Sequence, residues 1–175
     1  LHSFANAIRR LLSQSRPDQA QEMKEVRPFF IIVLGVLAFL YGLEVYLSPG
    51  LRAPLRLIPF TLLMLAHATL HWFSPRLTLT LRAGILYLTV QGALAFTLTM
   101  LAYDTTLILG LYSALIGQAI GILTNRQQTV IAILTYLVLG SISFVLIAGW
   151  QDFPLWAIAT ALITLFVVTY VTLYT

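Results

Sequence analysis

LGLYSALIGQAIGILTNR, residues 109–126, is the stretch whose reading decides the fold. Gly110, Ser113 or Ala114, Gly117 and Gly121 recur at intervals of three and four, which sets them in one smooth stripe along a helix. In lipid the hydrophobic effect does little to hold helices together. A stripe without bulky side chains lets backbones approach, and van der Waals contact and interhelical hydrogen bonds then hold the bundle. Gln118 sits beside that stripe, deep in an apolar run, and its amide requires a partner on another helix. The segment reads as the packing centre of a membrane bundle.

The composition around it agrees. The 175 residues are 59% hydrophobic and 9% charged, where a soluble domain carries about 25% charged residues. The absence of cysteine excludes disulfides, thiolate metal sites and a cysteine nucleophile. A net charge of +4 does not point to nucleic acid, because five of the ten basic residues fall in the first 28 positions. The remainder sit in short breaks between apolar runs, as cytoplasmic membrane flanks do. The first long apolar run starts near Phe29 and lacks the small-residue cleavage site of a secretory signal.

A span needs about 20 apolar residues, and the sequence predicts an all-α bundle of six spans at about 29–48, 56–73, 83–102, 105–123, 129–149 and 155–174. Ser48-Pro49-Gly50 and Ser74-Pro75 are expected to stop helices, since a residue before proline resists the helical conformation. Asp104 and Asp152 stand where N-caps of the fourth and sixth helices belong, and Pro59 and Pro154 suit first turns. Residues 1–28 form a cytoplasmic leader. Within it Leu1, Phe4, Ala5, Ile8, Leu11 and Leu12 share a face beside Arg9 and Arg10: an amphipathic helix on anionic headgroups, or a frayed end of similar pattern. The basic leader argues for cytoplasmic termini in a multi-pass plasma-membrane protein, with Arg76, Arg82 and Arg126 inside. Arg52 and Arg56 then fall outside, either snorkelling or meeting anionic groups. Leu1 in place of methionine, and the stop at Thr175 at the expected inner face, predict a truncated chain.

Few residues carry chemistry. Glu44 lies about 6 Å from the outer end of the first span, where it is expected to be solvated or paired with Arg52 or Arg56; a proton- or cation-sensing role is the alternative. His67 and His71 share a helix face at the spacing of a metal or haem pair. They lack an acidic third ligand, so no metal or cofactor is expected. Gln91 and Gln118 are mid-span amides that can meet His67 in the inner half of the bundle. The candidate polar sensing or packing cluster is His67, His71, Gln91, Gln118 and Glu44, acting either as interhelical glue, worth about 0.6–2 kcal/mol per bond, or as a switch. There is no HExxH, GxSxG or nucleotide-binding glycine loop. The last span places Leu155, Ile158, Leu162, Leu165, Thr169 and Thr172 at a 3-4-3-4 spacing, the seam of a coiled coil.

YLTVQGALAF (87–96) followed by GLYSALIGQAIGIL (110–123) resembles the N-terminal membrane region of bacterial sensor histidine kinases, of the LiaS- and DesK-like type. EVRPFF (25–30) and VVTYVTLYT (167–175) are similar too. The resemblance implies the input domain of a two-component system. It also implies a homodimer in the lipid bilayer whose last helix drives a cytoplasmic kinase in cis and, through it, a response regulator. ATP and magnesium would be used in that kinase domain, and none of His2, His67 and His71 stands in the family's phosphoacceptor context. The rival readings are a small transporter or permease subunit and a structural membrane anchor.

Overall fold

The computed structural model describes residues 17–123 and 125–174, with side chains from Ile31 onward except at positions 32, 167 and 170–174. The amphipathic pattern of residues 1–13 lies outside the described residues. The chain folds into helices α1 Pro17–Leu47, α2 Pro54–Leu77, α3 Leu81–Ala102, α4 Thr106–Ile122, α5 Arg126–Ala148 and α6 Phe153–Tyr174, with a 3-10 turn at Pro49–Arg52. No strand occurs among the described residues. By length and composition α2, α3 and α5 are able to cross a membrane; Val33–Leu47, Thr106–Ile122 and Phe153–Phe166 are shorter apolar helices. Connections of three or four residues from α2 onward force neighbouring helices to run antiparallel.

Local chemistry sets these ends, and several differ from the expected ones. Residues 17–28 belong to α1, which continues through Pro28, so lead-in and first span are one helix. Pro54 occupies the start of α2, which puts Pro59 inside the helix rather than in its first turn. Ser74-Pro75 does not stop α2 either. The helix runs on to Leu77, and the Thr78 N–H and hydroxyl both donate to the Ser74 carbonyl, at 3.0 and 2.7 Å. Pro75 lacks the N–H that would reach the His71 carbonyl, and the helix ends soon after it, at Leu77. Tyr103 ends α3 in the left-handed conformation at φ 55°. Thr105 takes the N-cap position of α4, while Asp104, one residue earlier, accepts from the Thr106 N–H at 2.8 Å.

α4 sits at the centre. Leu107, Ile108, Leu111, Leu115 and Ala119 are wholly inaccessible, and the helix packs on α1, α3, α5 and α6. Its small-residue stripe is used unevenly. A Cβ on Gly110 would lie 2.5 Å from Leu40 Cδ1, so α1 drops a leucine into that notch. Gly121 is exposed with open space above it, and Ser113, Ala114 and Gly117 are half-buried. Comparable notches occur on α3, where Ile122 fills the space over Gly84 and Tyr136 that over Gly92. Close approach in this bundle is therefore side chain into glycine. Between α5 and α6, Phe144 stacks on Trp156 with centroids 4.9 Å apart, and Phe153 continues the stack.

α1 is held more loosely. Between it and α2 runs a cleft of about 310 Å³ lined by Leu34, Leu37, Tyr41, Thr61, Met64 and Ala68. Tyr41 and Thr61 share a hydrogen bond of 2.9 Å, and Tyr41 stacks on Phe60, tying the helices together there.

Candidate functional site

The buried face of α2 is written Phe60, Met64, His67, His71, Ser74, a 4-3-4-3 stripe that turns from apolar to polar along the helix. On α3, Tyr87 and Gln91 are four residues apart and both buried. α4 brings Gln118 between these two faces. Tyr87 donates to Gln118 Oε1 at 3.1 Å, and Gln118 Nε2 in turn meets His71 Nδ1. Gln91 Nε2 donates both to the Tyr87 hydroxyl at 3.1 Å and to the His67 backbone carbonyl at 3.2 Å. The Gln91 amide also faces the His67 ring, and Ser74 faces the Tyr87 hydroxyl. The result is one hydrogen-bonded network across α2, α3 and α4.

The network is dry. Gln91 is wholly inaccessible, while His67 is 2% and His71 1% exposed. Among the described residues no three His, Cys, Asp or Glu side chains gather to hold a metal. A second polar set lies across α3, α4 and α5. Tyr136 donates to the Leu88 carbonyl at 2.9 Å, and Tyr112 shares a 3.3 Å bond with Ser143.

The structure thus brings His67, His71, Gln91 and Gln118 together and places Glu44 apart from them. Glu44 lies near the other end of the bundle, 1% exposed, with Ser48 Oγ donating to it at 3.4 Å. It is neither solvated nor paired with Arg52 or Arg56, which corrects the sequence expectation. Arg52 instead reaches back to the carbonyls of Val45, at 3.0 Å, and Tyr46. The carbonyls that end α1 lack intrahelical partners and carry the negative end of its dipole, and they outcompete the carboxylate for the guanidinium. Sequence reasoning missed Tyr87, the residue on which three of the network's bonds or contacts converge. The signal was present as Tyr-x-x-x-Gln, a polar pair on one helical face.

Fold and site define a helical membrane-type bundle whose interior is cross-linked by side-chain hydrogen bonds between helices. A curated relative places it more narrowly. The sensor histidine kinase YdfH of Bacillus subtilis (strain 168) is 40% identical over 85 residues, which cover 47% of this chain and 20% of the kinase. The match spans only about a fifth of that protein's length. The chain is accordingly related to a sensor kinase in part of its membrane-type region, and this relative does not support the narrower LiaS- and DesK-like type. No family model and no solved structure matches the chain.

Proposed function

We propose that this chain is the membrane-embedded input region of a two-component sensor histidine kinase. The carrying observation is the 40% identity to YdfH. In this reading six helices cross the plasma membrane with both ends cytoplasmic. Arg76, Arg82 and Arg126 then share the inner end, while Asp104 and Asp152 lie at the outer one. The network of His67, His71, Tyr87, Gln91 and Gln118 sets how α2, α3 and α4 sit against one another, and α6 passes the change on. α6 packs inward through Trp156, while Leu155, Ile158, Leu162 and Leu165 lie exposed along its outer face. Those four belong to the 3-4-3-4 pattern, so the same face serves as the seam of a homodimer. The cytoplasmic kinase domain, with its ATP and magnesium, and a response regulator complete the system.

The test joins residues 1–175 to the cytoplasmic kinase of YdfH and follows autophosphorylation in liposomes. One residue inserted after Thr175 turns the output by about 100°, and seven nearly restore the seam. Output should be lost or locked with one and recover with seven. Indifference to insert length refutes signalling through a rigid α6.

A further inference from the structure

Thr61 on α2, Thr89 and Thr97 on α3, and Thr129 and Thr135 on α5 each donate to the carbonyl four residues earlier in their own helix. Thr160 on α6 does not. Its Oγ1 is buried and has no hydrogen-bond partner. One turn before it on the same face, Trp156 is 7% exposed, and its indole Nε1 is likewise buried and unpartnered. Both residues line one cavity of about 10 Å³ where α6 meets α4 and α5. Tyr112 of α4 and Gly140 of α5 line it too. The Tyr112 hydroxyl shares its bond with Ser143 at 3.3 Å, and whichever of the two donates, the phenolic oxygen can accept once more.

The chemistry and the size of this space select its occupant. An indole N–H only donates, and a hydroxyl both donates and accepts. The occupant must therefore accept from Trp156 and donate to an oxygen. No charged side chain lines the cavity, so an ion would lie there uncompensated. A space of about 10–15 Å³ is the room one water needs, and nothing larger fits. We infer that a single buried water binds between α6 and α4, accepting from the Trp156 indole N–H and donating to Thr160 Oγ1 and the Tyr112 hydroxyl. Water in such a place is retained because it pairs polar atoms that are costly to leave unpaired. The bridge lies on the inward face of α6, away from the exposed Leu155, Ile158, Leu162 and Leu165. A bridging water is nearly as favourable as a direct hydrogen bond and re-forms when its partners shift slightly. It holds α6 to α4 while letting one helix slide on the other. Only that consequence, for a signal passing along α6, rests on the sensor reading.

The test uses the 175-residue chain with isotope-labelled tryptophan in deuterated detergent micelles. Trp72→Phe, Trp150→Phe and Trp156→Phe assign the three indole signals. A bound water gives the Trp156 indole proton a cross-peak at the water frequency, of opposite sign in laboratory-frame and rotating-frame transfer. Exchange with bulk water gives the same sign in both, and Trp150, 72% exposed, is the control for it. A hydroxyl proton that exchanges with water could imitate the bound molecule, and Gly140→Ala separates the two. The added methyl lies 3.5 Å from Tyr112 Cδ2 and 3.6 Å from Trp156 Cη2, ordinary contacts, so it narrows the cavity while every hydroxyl remains. The opposite-sign cross-peak should be present in the unsubstituted chain and lost in Gly140→Ala. Its absence from the unsubstituted chain, or its survival undiminished in Gly140→Ala, overturns the water site. The measurement needs no kinase, so its failure leaves the sensor reading untouched.

Discussion

The hydrogen bond between Tyr87 and Gln118 ties α3 to α4, and a double-mutant cycle measures it. Tyr87→Phe removes a donor to Gln118 at 3.1 Å and an acceptor from Gln91 at 3.1 Å, while Gln91 keeps the His67 carbonyl at 3.2 Å. Interhelical bonds in membrane proteins contribute about 0.6 kcal/mol on average and up to about 1.7. Two lost bonds set the expected cost of Tyr87→Phe at about 1–2 kcal/mol. Gln118→Met removes the bonds to Tyr87 and His71 and should cost a similar amount. The double variant should lose less than the sum by the one shared bond, about 0.6 kcal/mol or more. Reversible unfolding in mixed detergent micelles gives all four stabilities. Tyr41→Phe, which breaks only the remote bond to Thr61, is the additive control. If Tyr87→Phe and Gln118→Met add to within about 0.3 kcal/mol, the two side chains are not coupled and the network is not what joins α3 to α4.

Other expectations are more direct. Gly110→Ala should destabilise by up to about 2 kcal/mol, because overpacking against Leu40 outweighs a gain of about 1 kcal/mol in helix propensity; Leu40→Ala in the same chain should cost less than it does alone, measured by the same unfolding. Topology reporters fused after Arg52, Thr80, Asp104, Asn125 and Asp152 should alternate, beginning outside; Asp104 and Asn125 on one side would break the six-span reading. Purified protein should show no Soret band and no stoichiometric metal, since His67 and His71 are drawn into the network without an acidic third ligand. A Soret band lost on His67→Leu would reverse that.

What the sequence made legible follows from what is unusual in an apolar helix. Gln118 and Gln91 stand out because an amide in lipid must be bonded, and the helix carrying Gln118 is the one at the centre of the bundle. Tyr87 and Tyr136 were not legible in the same way. A tyrosine in an apolar run reads equally as core packing or as a belt residue, and only the structure shows its hydroxyl bridging helices. The stop at Ser74-Pro75 failed because a residue before proline is biased against the helix but not barred from it, and α2 runs on past Pro75 to Leu77. Arg52 illustrates a competition between two acceptors. Opposite charges a few residues apart invite an ion pair, yet the helix-end carbonyls lie closer along the chain and lack intrahelical partners.

The length of α4 has a mechanical consequence. Its 17 residues rise about 26 Å, a few ångströms short of a bilayer core of about 30 Å. α2, α3 and α5, with 24, 22 and 23 residues, reach about 33–36 Å. A short post stands among longer staves, and more of its bulky side chains are wholly inaccessible than theirs. In the six-span reading proposed above, a bilayer that thinned would tilt the staves more than the post, and compression outside would become shear at the post's surface. The bonds from Gln118 to Tyr87 and His71 cross that surface. In that reading they would carry the load without any lipid-facing side chain having to read it.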